Sequence, residues 1–372
     1  MALVVTRVSS KRDLERFIRL PEQLPDQRPG RVPPLLADER VLHDPQRNLA
    51  AHGCEMAHWI AEQDGAPVGR VMGILHKPYN TLHGERTARF FQLDAVNDHD
   101  VVQVLLQAVQ DWAVTLGADR VMGPYGFSDK DPQGLQVFGL EHLPVLATPT
   151  NPAFLPGLVE ACGYRKLTDA VSYRVDMPTQ LPPSYDRIAD RVMRDGRFRL
   201  VPLRRRRDLK PWIMPVLRLV NQAYGGLLGF IPMSEEEMRS LASQYLPILD
   251  PAFVKVVAEG ELPVAFVVAL PDISEGLQRA EGRLFPVGWW HILSAKRRAQ
   301  QLDLLLGAVR PDLQGRGLTC VLGQALLTEA RGRGMTHLDS HLVLETNLRM
   351  RAELERLGGV VWKRYRMYVK EL

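Results

Sequence analysis

The sequence predicts an α/β (α+β) protein made of two consecutive copies of one fold. The segment 177–184 contains three prolines and divides the 372 residues into nearly equal halves. Both halves show the same order of predicted strands and helices, and no low-complexity segment interrupts either one. Because closely spaced prolines cannot continue a helix or a central strand, this seam indicates a linker. We therefore predict domains at 1–177 and 187–372, joined by a Pro-rich linker at 178–186.

The second half has the clearer pattern of hydrophobic residues. Its predicted elements are strand 198–203, helix 209–223, a helix capped by Ser234 and Glu235–Glu237, strands 253–259 and 263–270, an irregular stretch 272–299, strand 302–309, helix 318–331, strand 337–344, helix 347–357 and strand 360–369. The capped helix rests on a Ser followed three residues later by Glu. The nearly continuous apolar run 302–309 predicts a central strand that is buried on both faces.

The first half repeats this order more faintly. Its predicted elements are strand 3–8, helix 11–20, a hairpin of strands 58–62 and 67–76, strand 88–96, helix 101–116, strand 120–123, helix 154–162 and strand 166–177. Two halves of equal length and similar order indicate an internal duplication.

Composition predicts a soluble intracellular enzyme or binding protein. Lys and Arg total 47 against 43 Asp and Glu, and this net charge of +4 is too small to predict nucleic-acid binding, although it suits an anionic small ligand. No apolar run reaches the roughly 18 residues of a membrane span, and the N-terminus is unlike a signal peptide. Three scattered cysteines predict no disulfide, and the histidines lack metal-binding spacing. We expect a cytoplasmic monomer or homodimer that binds neither nucleic acid nor membrane.

The most specific signal is a buried strand that ends in a turn with two glycines and leads directly into a helix. The free N–H groups and the dipole at a helix N-terminus bind a diphosphate well. Gly315 and Gly317 let the backbone approach such an anion closely, and Arg316 adds positive charge. An ordinary strand-to-helix turn that needs small residues is the alternative explanation.

The loop and its surroundings resemble the acyl-CoA-binding core of the GNAT (GCN5-related N-acetyltransferase) superfamily. The superfamily pattern Q/R-x-x-G-x-G/A is matched here by Gln314-x-x-Gly317-x-Thr319, followed by a helix and a strand that ends at Asn347. Thr319 departs from the pattern, and its side chain either crowds the diphosphate or donates a hydrogen bond to it. Segments along the whole chain are similar to one bacterial family of double-GNAT-domain proteins.

This resemblance implies two tandem GNAT folds, each with a mixed, mostly antiparallel central sheet flanked by helices, and acetyl-CoA or another acyl-CoA as co-substrate. The residues implied in binding it are Gly307, Ala308 and Val309 for the pantetheine, Gln314, Gly315, Arg316, Gly317, Leu318 and Thr319 for the diphosphate, and Asn347 for the cofactor arm. Asn347 is equally explained as a helix N-cap. Lys296, Arg297 and Arg298, or Arg331 and Arg333, either reach the 3′-phosphate or form solvated basic faces.

The first half lacks such a loop. Residues 97–100 contain no glycine and two carboxylates, which would repel a diphosphate. We therefore expect the first half to bind no CoA, and either to shape the acceptor pocket or to support the second half.

Acyl transfer from a thioester to an amine needs a base for the ammonium and an acid for the thiolate. The Tyr that commonly serves as acid in the superfamily is replaced here by Leu354. The remaining candidates are Glu345, His341, Asp303 and Tyr224. On a continuous strand 337–344, His341 and Glu345 would share a face beside the cofactor.

Each candidate also has an ordinary structural explanation. Glu345 would pair with Arg349 at i+4, Asp303 and His341 would be solvent-facing residues at strand ends, and Tyr224 would be a packing aromatic. Trp289 and Trp290 either line an apolar pocket or pack in the core, and the four arginines at 204–207 predict a solvated patch.

The resulting hypothesis is N-acyl transfer, with acetyl as the expected group, from acyl-CoA to a primary amine of a small molecule. Two alternatives remain open. One is a non-catalytic acyl-CoA-binding protein, and the other is a GNAT fold that uses a carrier protein or an aminoacyl-tRNA as donor.

Overall fold

The computed structural model describes residues 2–25 and 30–372. The elements of the first half are β1 (Leu3–Arg7), α1 (Lys11–Arg19), α2 (Leu36–Leu42), β2 (Cys54–Gln63), β3 (Ala66–His76), α3 (Lys77–His83), β4 (Thr87–Ala95), α4 (His99–Thr115), β5 (Arg120–Gly123), β6 (Leu135–Phe138), α5 (Leu155–Ala161) and β7 (Arg165–Asp176).

The second half adds helices and strands in a similar order. They are α6 (Pro183–Arg194), β8 (Phe198–Leu200), α7 (Arg206–Ala223), α8 (Glu235–Tyr245), β9 (Val254–Glu259), β10 (Leu262–Pro271), α9 (Ser274–Ala280), α10 (Gly288–Arg298), β11 (Gln301–Val309), α11 (Leu318–Gly332), β12 (His337–Asp339), β13 (Val343–Leu344), α12 (Leu348–Arg356) and β14 (Val360–Glu371). None of the helices in the described residues is long and apolar enough to cross a membrane.

One continuous sheet joins the two halves. Its strand order is β1-β2-β3-β4-β5-β14-β7-β12-β11-β10-β9-β8, with β6 on β14 and β13 on β7. Each half contributes its last strand to the other half: β14 pairs with β5, and β7 pairs with β12. The two exchanged strands also pair with each other along most of their length. The sheet is antiparallel except at β4–β5 and β11–β12.

Helices cover both faces of the sheet in each half. In the first half, α4 and α5 pack on one face, while α1 and α2 pack on the other. In the second half, α6, α11 and α12 cover one face, and α7 and α8 cover the opposite face. This arrangement leaves the β11–β12 junction in the middle of a layer that has helices above and below it.

The local signals account for several helix ends. The predicted cap of α8 is confirmed, because Ser234 Oγ accepts from Glu237 N while Glu237 accepts from Ser234 N. The linker prediction missed α6, which begins at Pro183, since proline is tolerated in the first turn of a helix. The stretch 272–299, predicted to be irregular, contains α9 and α10.

Two strand predictions in the second half need correction. The predicted strand 337–344 is broken into β12 and β13, because His341 adopts a positive φ of 58°. The strand 302–309 is not buried on both faces, since the residues of Leu304–Val309 are only partly buried beside an internal cavity, except Gly307, which is exposed. Both departures occur at the same place in the fold.

Candidate active site

The strands β11 and β12 separate after a short parallel pairing. They are paired only over Gln301–Asp303 and His337–Asp339. Beyond this point β11 continues along β10, while β13 pairs with β7 instead of β11. A register shift in the β10–β11 pairing occurs where the strands diverge. A gap therefore opens between residues 304–309 and 340–344, and one edge of β11 faces into it.

A cavity of about 870 Å³ occupies this gap and extends to both faces of the sheet. On one face it lies between α11 and α12. On the other face it widens beneath α7 and α8, where its wall is formed by apolar side chains, namely Leu203, Leu209, Trp212, Ile213, Val216, Leu217, Leu241, Ala242, Leu246, Leu249, Val254, Val256 and Phe266. We call this second part the apolar chamber.

The glycine loop lies at the α11 end of the cavity. Gly315 and Gly317 both have positive φ, 76° and 86°, and α11 begins immediately after Gly317. A side chain at Gly315 would meet no other atom within 4 Å, whereas a Cβ at Gly317 would lie 2.5 Å from Ile188 Cγ2 of α6. Gly315 therefore faces open space, and Gly317 allows α6 to pack against the start of α11.

The implied cofactor residues fall into two groups. Those that line the cavity are Gly307, Ala308, Val309, Gln314, Gly315, Thr319 and Asn347. Arg316 is exposed, and Leu318 is buried in the core with α6. Asn347 is the N-cap of α12, since its Oδ1 accepts from Met350 N at 3.2 Å, so the structural role of this residue is confirmed.

The arginines at the cavity rim are not the basic residues that the sequence suggested for the 3′-phosphate. Arg349 and Arg356 line the cavity, and Arg349 donates to Gln314 Oε1 at 2.8 Å. Arg333 pairs with Glu329, and Arg331 donates to the carbonyl of Thr179. Likewise, Lys296 donates to the carbonyl of Ile248, outside the cavity.

His341 projects from the strand break into the cavity. Its Nε2 lies 2.8 Å from the carbonyl oxygen of Leu146, and its backbone N–H donates to Asp339 Oδ1 at 2.7 Å. A carbonyl oxygen can only accept a hydrogen bond, so Nε2 carries the proton and Nδ1 keeps a lone pair. Burial lowers the pKa of His341, although the bond to Leu146 opposes this shift. The imidazole is therefore neutral at neutral pH and able to take a proton.

Tyr224 contacts the free edge of β11. Its hydroxyl donates to the carbonyl oxygen of Gly307 at 2.9 Å, and its ring lies against Phe230. Burial raises the pKa of Tyr224 above its ordinary value, so the phenol stays protonated. It is a hydrogen-bond donor inside the cavity, as well as a packing aromatic.

Asp303 and Glu345 lie outside the cavity wall. Asp303 is buried where β11 and β12 still pair, so its interpretation as a solvent-facing residue is wrong. Burial, together with the nearby Asp272 and Asp339, raises its pKa well above the usual range, and Gln301 donates to its Oδ1. Glu345 pairs with Lys166 at 2.8 Å, not with Arg349. Burial raises its pKa, but hydrogen bonds from Lys166 and the Asp169 N–H outweigh burial and lower it.

A buried ion pair supports the strand break and was not anticipated from the sequence. Asp339 Oδ2 lies 2.7 Å from Lys363 Nζ, and both side chains are fully buried. Ser172 Oγ and the His341 N–H donate to the other oxygen of Asp339. The available signal was weak, because Lys363 is one of three basic residues, with Arg364 and Arg366, in the predicted strand 360–369. Asp339 thereby fixes the backbone that carries His341.

The first half supplies a polar wall to the same cavity. This wall consists of Asp129, Lys130, Asp131 and Gln133. Asp129 lies close enough to Tyr224 to contribute to the rise of the tyrosine pKa, and it pairs with Lys130 at 3.0 Å. These residues follow β5 in an irregular segment, where hydrophobic periodicity gives no signal.

Strands β4 and β5 of the first half also pair over only three residues each, Thr87–Arg89 and Arg120–Met122. Tyr125 N donates to the carbonyl oxygen of Phe90 at 3.0 Å, so the chain after β5 stays bonded to β4. At residues 97–100, Asp98 caps α4 by accepting from Asp100 N. Trp289 and Trp290, expected in a pocket or in the core, are instead exposed on α10.

Comparison with known proteins extends over the full chain. No family model matches it. It is 28% identical over 375 residues to Protein YghO of Escherichia coli (strain K12), covering 98% of this chain and 94% of that protein. It is 28% identical over 383 residues to the bacterial ceramide synthase of Caulobacter vibrioides, covering 100% and 98% of the two chains.

Among solved structures, a tandem GNAT protein from the clavulanic acid biosynthesis pathway is similar with a TM-score of 0.51 and 13% identity, covering 100% of this chain and 98% of that one. This likeness concerns the fold. The chain has a tandem GNAT fold, which confirms the fold class predicted from the sequence.

Proposed function

We propose that this protein is an acyl-CoA-dependent N-acyltransferase that acts on a primary amine, with an aliphatic chain of a substrate held in the apolar chamber. One observation carries the proposal: a single cavity connects the glycine loop, the free edge of β11, His341 and the chamber. A thioester placed at the strand edge would have an anion-binding helix N-terminus on one side and an apolar space on the other.

The residues present fit an acyl-CoA. The first-turn N–H groups of α11 and the open space at Gly315 suit a diphosphate, and Arg349 and Arg356 add positive charge at the rim. The free edge of β11 offers backbone groups to the pantetheine amides and to the thioester carbonyl.

The chain's own residues supply the proton transfers. In this proposal His341 Nδ1 takes a proton from the acceptor ammonium, and the freed amine nitrogen forms a bond to the thioester carbon as the carbon–sulfur bond breaks. The Tyr224 hydroxyl gives its proton to the leaving thiolate and takes in its place the second proton that the nitrogen loses as the amide forms. Asp129, a carboxylate of the polar wall that acts electrostatically on Tyr224, would attract the ammonium.

The apolar chamber favours a longer aliphatic chain than acetyl. Its wall contains only apolar side chains over most of its area, and such a surface gains stability only when it is covered by another apolar surface. The relative named bacterial ceramide synthase agrees with this proposal, since the product in its name is an amide that carries long aliphatic chains.

The test is an acyl-CoA chain-length series, with release of free CoA measured in the presence of primary amines. Each methylene that the chamber buries contributes up to about 0.8 kcal/mol, or about fourfold in affinity. Affinity should rise with chain length and then level off. Ala242→Phe, which adds a ring to the chamber wall, should bring this plateau to a shorter chain, whereas Gln244→Phe on the exposed side of α8 should leave it unchanged.

The possible results separate the alternatives. Binding that saturates but releases no CoA with any amine would identify a non-catalytic acyl-CoA-binding protein. Equal affinity for all chain lengths in both variants would contradict the role of the chamber. No binding of any acyl-CoA would direct attention to carrier-bound donors.

A further inference from the structure

The region between β10 and β11 exposes an unusual number of large apolar side chains. Five of them lie within nine residues on the loop before α10 and on α10 itself, namely Phe285, Val287, Trp289, Trp290 and Leu293. We call this set the tryptophan face. Phe285 is 79% exposed and Trp290 is 57% exposed. Isolated surface apolar residues are common, but a contiguous set of this size indicates a binding surface.

The tryptophan face is flanked by positive charge. The segment 282–302 contains Arg283, Lys296, Arg297 and Arg298 and no Asp or Glu, so its four cations account for the whole net charge of +4. Arg283, Arg297 and Arg298 make no ion pair with another residue that the structure describes. In contrast, most arginines elsewhere in the described chain are paired with carboxylates.

The helical spacing brings these two features together. Trp289, Trp290, Leu293 and Arg297 follow one another at intervals of one, three and four residues, which places them on one side of α10. The opposite side is anchored, since Gly288 and Ala295 are buried. The apolar side of α10 is therefore held outward by the packing of the other side.

The chemistry of this surface matches the headgroup region of a lipid bilayer. Tryptophan is enriched at that boundary because its ring is apolar and its N–H is polar. Helices that lie flat on membranes combine such residues with Lys and Arg, which attract anionic lipids.

We infer that the tryptophan face docks on an anionic membrane surface, with Phe285, Trp289, Trp290 and Leu293 entering the headgroup layer. This inference stands apart from the proposed acyl transfer and departs from the expectation of no membrane partner. Docking through α10 would also place the apolar chamber near the lipid, where a substrate with an aliphatic chain would be. Lys296 holds the carbonyl of Ile248, next to Leu246 and Leu249 in the wall of the apolar chamber.

The test is co-sedimentation of the full chain with vesicles of phosphatidylcholine alone, or of phosphatidylcholine mixed with phosphatidylglycerol. We expect retention on the anionic vesicles, together with a blue shift of tryptophan fluorescence and weakening by salt. Each basic residue near an anionic surface contributes about fivefold in affinity. Arg297→Glu with Arg298→Glu should therefore reduce binding by more than tenfold, and Trp289→Ser with Trp290→Ser should abolish it.

Matched controls use exposed residues elsewhere. Leu262→Ser, at a leucine that is 64% exposed on β10, and Lys11→Glu with Arg12→Glu, at two exposed residues in the first turn of α1, should bind vesicles as the unmodified chain does. Melting temperatures should change little, because the altered side chains are exposed, with the largest decrease for Arg297→Glu with Arg298→Glu, since carboxylates in the last turn of α10 oppose the helix dipole. Equal retention of the patch variants, or no retention on either vesicle, would overturn the inference. Self-association without lipid that Trp289→Ser abolishes would overturn it as well, by showing an interface between copies.

Discussion

At the scale of single residues, the candidate site depends on one backbone conformation. His341 has a positive φ, which is uncommon for a residue with a side chain and costs free energy unless the surroundings enforce it. Asp339 enforces it here by accepting the His341 N–H, and the buried Lys363 holds Asp339 in turn. A lone buried carboxylate would be costly, so the pair and its hydrogen bonds are needed together.

This geometry predicts the effect of removing the imidazole. His341→Gln keeps a donor for the Leu146 carbonyl but cannot take a proton, so kcat should fall by about a hundredfold or more while the affinity for acyl-CoA is retained. His337→Gln is the matched control, since His337 contacts Gln301 outside the cavity. Steady-state kinetics and calorimetry measure the two quantities. Equal losses in both variants would assign His341 a structural role.

The pH dependence of the proposed acyl transfer follows from the same residue. Protonated His341 cannot accept a proton, so activity should fall as the pH drops through the pKa of this imidazole. Burial lowers that pKa, and the acid limb should therefore lie below the ordinary histidine value of about 6.5. The limb should be absent from the residual activity of His341→Gln.

His341 was predicted from the sequence as a catalytic candidate, but the strand geometry used for that prediction was wrong. Alternation along a continuous strand placed His341 and Glu345 on one face, and this argument fails once the strand breaks at residues 340–342. Glu345 is paired with Lys166 on the exchanged strand β7, far along the chain, where no local pattern links them. Local periodicity cannot show such long-range partners.

At the scale of elements, the start of α11 both packs against α6 and lines the cavity. Gly317 allows α6 to approach, while Gly315 and Thr319 face the cavity. Replacing Gly317 would therefore disturb the packing of α6, whatever its effect on a ligand. Thr319, which departs from the superfamily pattern, is exposed in the first turn and gives a cleaner test.

Thr319→Glu places a carboxylate where we expect the diphosphate. Acyl-CoA affinity should fall at least about tenfold, since like charges would meet at the helix N-terminus. Thr319→Gln, which is neutral and of similar size to Glu, should bind nearly as the unmodified chain does. A carboxylate in the first turn stabilises a helix by about 0.3–1 kcal/mol, so thermal unfolding should show no loss of stability. Equal affinities of the two variants would contradict a diphosphate site in this loop.

Strands, helices and caps with strong local signals were predicted well, and those that depend on neighbours were not. The hairpin of β9 and β10 and the cap of α8 are set by nearby residues, and both agree with the structure. By contrast, α10 lies in a stretch predicted to be irregular, and its apolar residues face outward, although apolar residues at helical spacing usually mark the buried face of a helix. Its Trp-Trp pair was therefore interpreted as part of a pocket or of the core.

At the scale of the whole molecule, the exchanged strands make one structural unit of the two repeats. The linker prediction followed the proline pattern, but local composition carries no information about which half the last strand joins. β14 ends beside β5, and β7 ends beside β12, so each half would lack a strand of its sheet if it were alone. The cavity also needs both halves, because its polar wall comes from the first half.

This arrangement predicts how the chain responds to cutting. A protease site inserted between Thr179 and Gln180, both in the segment between β7 and α6, should be cleaved without separating the fragments. Size-exclusion chromatography should show one species of the original size, since β14 and β7 stay paired along their length. The halves produced separately should fail to fold, because each exposes unpaired strand edges and apolar core. Two fragments that elute as separate folded monomers would show instead that each repeat completes its own sheet.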